Sequence, residues 1–408
     1  MNFTSADGET RVPITQRISD LWEVDSSLSA LYRKVLGESP PSAPTVRTIL
    51  LNLVSFSHSR EDADEAEAVV AQISGSHPCR AVVIDALPPR EGEPESSVSV
   101  ICGITDRGDR RLCGDVIHLH LHEEPETAVG AVMPLLVSDV PVFLWAPGDL
   151  PTNYPQFDVL ADVADSVIVD SRRFADLRSG LEMCAGLVRP APARRTIRDL
   201  AWVSTHWWRE LTAQHFDPPA ARTYARLVSD VSVKYAPDER QTPVPAEPML
   251  FASWLISRLG LAVDRVTSDG TGGVSIAARQ GENPVEVAVS PDDSGSGPGQ
   301  LVSALIRCNT GKSAAAGGTA ELATFLTRGI SPTEVAISEE CKGLCFTPRV
   351  VDTGPRSTSV LLSEALDLPW RYKVFEEAFE TAREILTLLD AGQSRQSTER
   401  QGEGRNET

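Results

Sequence analysis

No stretch of this 408-residue chain approaches the roughly 20 consecutive apolar residues that a membrane-spanning helix needs. The opening residues, Met1 to Arg11, are polar and acidic and lack the apolar core of a secretory signal, which points to a cytoplasmic protein. Cysteine is sparse. The seven present, at irregular spacings, read as buried thiols of a reducing compartment and not as a disulfide framework. Positive charge is in deficit: 38 Lys and Arg stand against 57 Asp and Glu, a net charge of −19 that repels phosphate backbones and anionic headgroups.

Phosphate loops are missing too. Ser57-His58-Ser59-Arg60 follows an apolar run with no glycine to let a pyrophosphate approach. Gly311-Lys312-Ser313 ends like a P-loop, but Ile306 stands where the opening glycine belongs, and Gly270-Thr271-Gly272-Gly273 lacks dinucleotide-loop spacing. There is no G-x-S-x-G elbow. His118, His120 and His122 alternate as they would on one strand face, yet no fourth ligand lies at recognisable spacing. The sequence therefore assigns no catalytic, cofactor or metal residue.

What is present is a globular composition, 41% hydrophobic and 23% charged. Helical spacing covers Ile14 to Leu36, a branched apolar run covers Arg47 to Phe56, and an acidic helix covers Glu61 to Ile73 before a second buried strand, Arg80 to Ala86. That is a β-α-β unit with a parallel strand pair. Val98–Ile104 and Asp115–Leu121 alternate and supply a mixed part, while Val140–Trp145 and Ser166–Asp170 are further buried strands. Residues 1–190 thus read as an N-terminal α/β domain with an open, mostly parallel sheet. A Pro/Arg-rich joint at Arg189–Arg195 leads into a second, α+β domain over 191–390. There, helices are expected at Asp199–Gln214, Pro218–Val228, Met249–Leu259 and Pro369–Leu389, and residues 391–408 are expected to be disordered.

Two residue groups stand out as candidate sites. Arg172, Arg173, Arg194 and Arg195 belong to the one basic stretch of the chain and form a candidate docking surface for an acidic partner; the plain alternative is a solvated helix face and a linker. Cys341 and Cys345 form a candidate redox pair. Trp202, Trp207 and Trp208 cluster near helical spacing and read as core.

The order of segments carries a further signal. Arg47–Phe56, His77-Pro78-Cys79-Arg80, Leu112-Cys113-Gly114-Asp115 and Met133–Trp145 (MPLLVSDVPVFLW) are followed by Asp199-Leu200-Ala201-Trp202, Trp208-Arg209-Glu210-Leu211, Phe216-Asp217 and Ala252–Gly260 (ASWLISRLG). This ordered set, over about residues 14 to 388, resembles the glucose-6-phosphate dehydrogenase assembly proteins, the OpcA family. The resemblance implies a non-catalytic partner that binds glucose-6-phosphate dehydrogenase and promotes its active oligomer, at the entry to the oxidative pentose phosphate pathway. In cyanobacterial members it also implies thioredoxin-linked control through cysteines. The other readings are an enzyme of sugar-phosphate metabolism and a thiol redox-sensing adaptor.

Overall fold

A computed structural model describes residues 3–4, 10–11, 14–37, 45–92, 94, 96–104, 111–121, 125–188, 195–238, 244–294, 297–309, 322–341, 347–369 and 372–403. The chain divides into two compact units that interleave in sequence. The first comprises Met1–Arg173, Cys184–Leu200 and Ser357–Trp370, and the second Phe174–Met183, Ala201–Arg356 and Arg371–Thr408. The boundary expected at 190/191 is thus displaced to Leu200/Ala201, and a late segment returns to the first unit.

In chain order the elements up to residue 199 begin with a short antiparallel pair, β1 (Phe3–Thr4) and β2 (Thr10–Arg11). Next come β3 (Ile14–Arg17), α1 (Val24–Gly37), β4 (Thr45–Arg47), β5 (Leu51–Ser57), α2 (Arg60–Ile73), β6 (Cys79–Asp85), β7 (Ser96–Ile104) and β8 (Arg111–His120). The series ends with α3 (Pro125–Val132), β9 (Val142–Trp145), α4 (Pro155–Val163), β10 (Ser166–Val169), α5 (Leu177–Leu187) and β11 (Thr196–Asp199). Their nine-stranded sheet runs β11-β10-β9-β5-β6-β8-β7-β3, with β4 also paired to β8. The six strands from β11 to β8 are parallel, whereas β7 and β3 join antiparallel. In chain order these six take the positions 3-2-1-4-5-6 of a doubly wound sheet, with the topological switch between β5 and β9. Every residue of β5 and β6 is buried, as strands covered on both faces require.

Sequence periodicity misread two places here. Ile14–Arg17 is an edge strand and not the start of a helix, and Thr196–Asp199 is the sixth parallel strand, hidden in what reads as linker.

The remaining elements are α6 (Leu200–Ser204), α7 (His206–Gln214), β12 (Val228–Tyr235), α8 (Ala246–Leu259), β13 (Ala262–Ser268), β14 (Val274–Gln280), β15 (Asn283–Pro291) and β16 (Leu301–Asn309). They are followed by β17 (Leu322–Ser331), β18 (Glu334–Glu340), β19 (Arg349–Asp352), α9 (Thr358–Asp367) and α10 (Lys373–Glu403). The second unit holds an eight-stranded sheet in the order β13-β14-β15-β12-β16-β17-β18-β19, antiparallel except where β12 meets β15. The helix expected over Pro218–Val228 is reduced to turns and one 3-10 turn at Tyr224–Arg226 before the start of β12. α8 ends at Gly260, whose φ of 64° supplies the left-handed cap. The disorder expected from residue 391 is replaced by α10 as far as Glu403; 404–408 lie outside the described residues. Among the described residues no helix is long and apolar enough to cross a membrane.

Candidate functional site

In an open doubly wound sheet the default ligand position is the crevice at the carboxyl ends of the strands, beside the switch point. Here that position follows β5, where Ser57-His58-Ser59 leads into α2. Ser59 caps the helix: the Asp62 amide donates to its Oγ at 3.2 Å. The hydroxyl in turn donates to the Asp62 carboxylate at 2.6 Å. Arg173, just after β10, donates to Asp62 at 2.8 Å and to Glu65 at 2.5 Å. Thr358 of α9 donates to the other Glu65 oxygen at 2.9 Å. The Asp62 carboxylate also lies so close to Gly148 that a Cβ there would collide with it.

The electrostatics follow from these contacts. Burial pulls the Arg173 guanidinium down, but hydrogen bonding and charge from Glu65, then Asp62 and Asp170, outweigh it and hold the group above its ordinary value. Glu61, Asp62, Asp64 and Glu65 crowd the first turns of α2, so the positive end of the helix dipole is already neutralised by the chain's own carboxylates. Where a dinucleotide fold would cradle pyrophosphate on bare amides, this chain has placed an internal carboxylate–guanidinium strut. Beside it, Arg172 grips Asp170 through two hydrogen bonds of 2.7 and 2.6 Å, and Ser171 is held by Asp199.

This changes the expected docking surface. Arg172 and Arg173 are each paired, with side chains 28% and 30% exposed. Arg195 is buried, donating to the Leu187 and Ala161 carbonyls at the ends of α5 and α4, which leaves it no role at a surface. Arg194 lies outside the described residues.

The histidine strand also resolves in part. His118 and His120 share a face of β8 with ring centroids 5.1 Å apart. His120 is buried, 2.8 Å from the Leu87 carbonyl and 3.7 Å from Asp85. His122 lies outside the described residues, and among the described residues no group of His, Cys, Asp and Glu could hold a metal ion.

The cysteines depart from expectation. Cys102 and Cys113, directly opposite each other on β7 and β8, form a disulfide, so the reading of all seven as free thiols is corrected. Sequence missed it because the pair is set by strand register and by no spacing motif. Cys341 is buried, and burial followed by the Glu339 charge pushes its thiol up to about 11. Its proposed mate, Cys345, lies outside the described residues.

A second polar constellation escaped the sequence altogether. His215, after α7, sits 2.7 Å from Glu339 through Nδ1 and 3.1 Å from the Thr327 hydroxyl through Nε2. The connectivity is that of nucleophile, base and acid. Thr327, however, has no exposed surface and is shared with Thr212, so the set ties α7 to the sheet and offers nothing to a substrate. Gly270–Gly273 is a hairpin turn whose Thr271 and Gly273 amides donate to Asp269. Gly311-Lys312-Ser313 lies outside the described residues. Trp202 and Trp208 are core, while Trp207 is 38% exposed.

Comparison with known proteins places the whole. Residues 70–185 match the model described as glucose-6-phosphate dehydrogenase subunit N-terminal domain, and residues 195–379 match that for the C-terminal domain. A relative from Nostoc punctiforme, provisionally named OxPP cycle protein OpcA, is 33% identical over 196 residues, covering 47% of this chain and 40% of the relative. Its namesake from Synechocystis is 27% identical over 197 residues, covering 48% and 40%. The alignments thus span less than half of those relatives. Among solved structures, an NAD binding oxidoreductase from Klebsiella pneumoniae superposes with a TM-score of 0.48 at 10% identity, covering 84% of this chain and 96% of that one. With both family models matched in order and most of the chain covered, this protein belongs to the OpcA family of glucose-6-phosphate dehydrogenase assembly proteins.

Proposed function

We propose that this protein is a non-catalytic partner of glucose-6-phosphate dehydrogenase that binds the enzyme and favours its active oligomer. The observation that carries the non-catalytic half is the head of α2, where Asp62, Glu65 and Arg173 occupy the place a cofactor phosphate would need. Family membership supports the choice of partner. The action is one of differential binding: an activator shifts its partner's equilibrium only by its preference for the active form, and about 1.4 kcal/mol of preference gives a tenfold shift.

The test is to mix the purified chain with the cognate dehydrogenase over a range of enzyme concentrations. The chain alone should reduce no NADP, should co-purify with the enzyme, and should raise its activity most at limiting enzyme concentration. Turnover by the chain alone would instead establish an enzyme; absence of both complex and activation would remove the partnership.

A further inference from the structure

The eight-stranded sheet of the second unit has two different faces. On one, Val233, Val289, Ala304, Thr327 and Ile337 are buried, and helices α7, α8 and α10 pack against this sheet. On the other, a continuous row of register partners runs Ser275, Ala288, Ser232, Leu305, Leu326, Ser338. All six are half-exposed, small or apolar, and none is charged. A sheet face meant for water alternates towards lysine, glutamate and other solvated side chains, and such residues are absent from this row.

The charges lie in the two flanking rows. On one side Glu286, Asp230, Arg307 and Glu340 follow across β15, β12, β16 and β18. On the other, Lys234 of β12 and Arg328 of β17 sit two residues further along their strands from the central row. Across these strands three cations and three anions balance, and Arg265 of β13, in register with Ala277 and so with Glu286, adds a fourth cation at the edge, in a chain of net charge −19. The patch is therefore a place where two copies of so acidic a molecule can approach without strong mutual repulsion.

We infer that this open face is the interface through which two copies of the chain associate, sheet on sheet, about a two-fold axis lying in the interface plane. The registers make the face self-complementary. An axis along the central row sets Asp230 over the partner's Lys234, and an axis along the strands sets it over the partner's Arg307. Neither arrangement brings like charges opposite. Six strands spaced by about 4.8 Å, with three outward residues each at about 6.8 Å, offer roughly 600 Å² per copy, and roughly 1,200 Å² in total reaches the range of specific interfaces. Stacked sheets pack about 10 Å apart with the side chains of both faces interdigitating, and Leu305 and Leu326 supply the apolar contact at the centre of this one.

The inference is independent of the partnership with the dehydrogenase. Sedimentation velocity of the full chain at micromolar concentration should show a dimer, insensitive to moderate salt. Leu326→Lys, which places two ammonium groups near the axis, should weaken it about tenfold or more with unchanged circular dichroism. Should that variant lose its fold, the rim variant Asp230→Lys carries the test, with the same expected direction. A monomeric wild-type chain overturns the proposal, as does a dimer indifferent to both substitutions. A monomer whose Leu326→Lys variant has lost only its hold on the dehydrogenase gives the face to that enzyme and also overturns it.

Discussion

Arg173 bridges Asp62 and Glu65 at the head of α2, with donor–acceptor distances of 2.8 and 2.5 Å. Asp62 is largely buried, and that guanidinium is its ion-pair partner. Arg173→Gln should cost about 1–2 kcal/mol by chemical denaturation, the guanidinium's partial exposure holding the figure down. Paired with Asp62→Asn, the loss should be smaller than the sum of the single effects, since each substitution strands the other group. Strict additivity would show that the strut is not an energetic unit.

Arg195 presents the opposite of its expected role. Its guanidinium donates to the Leu187 and Ala161 carbonyls at the carboxyl ends of two helices, the Ala161 carbonyl accepting from the Ala164 amide as well. Arg195→Met should therefore destabilise the first unit by about 2–4 kcal/mol, seen as a fall in unfolding midpoint. At a temperature where the variant is folded, its affinity for the dehydrogenase should match wild type. Lost binding with full stability would restore it to a docking surface.

Much of the architecture was legible because periodicity is a strong signal where strands are buried on both faces. β5, β6, β9 and β10 all coincide with apolar runs in the sequence. β12 was lost because its buried residues, Val228, Val231, Val233 and Tyr235, are interleaved with Ser229, Asp230 and Ser232, a weak alternation that follows a helix-like stretch. β11 was lost because a four-residue strand with Arg198 and Asp199 carries no hydrophobic run; Arg198 is buried only because it donates to the α9 carbonyls of Ala365 and Leu366. The candidate site was legible only as a lack of glycine. That an acidic side chain and Arg173, more than a hundred residues apart, fill the position is a product of topology, which no local spacing encodes.

The thiols yield a chemical prediction. Burial, then nearby negative charge, pushes Cys79 up to about 12 and Cys341 to about 11; burial and the neighbouring Cys341 push Cys308 to about 12. Since the thiolate is the nucleophile, Cys79, Cys308 and Cys341 should resist alkylation of the native protein at pH 8 and react once it is denatured. Peptide mass spectrometry separates them from Cys102 and Cys113, which should react only after reduction. Replacing both disulfide cysteines by serine should cost about 2–3 kcal/mol through the short loop they close. Rapid labelling of native Cys341 would contradict its burial.

The last prediction concerns pH and rests on His215. Burial lowers its affinity for a proton, and the hydrogen bond and charge of Glu339 only partly restore it, so the folded imidazole stays neutral below its ordinary range. In the unfolded chain the same ring takes up a proton near pH ~6.5. Below that value the unfolded state binds more protons than the folded one, and linkage then favours unfolding. Stability from this residue is therefore fully present above about pH 6.5 and is lost as the pH falls towards the depressed folded value. His206, whose proton affinity is also lowered, first by burial and then by the Arg209 charge, acts in the same direction. Urea midpoints measured between pH 8 and pH 5 should decline on the acid side, and His215→Gln should start lower but show a shallower decline. An unchanged pH slope in that variant would mean that His215 takes up its proton alike in the folded and unfolded chains, and a steeper acid-side decline would mean that it is protonated in the fold and paired with Glu339 as an ion pair.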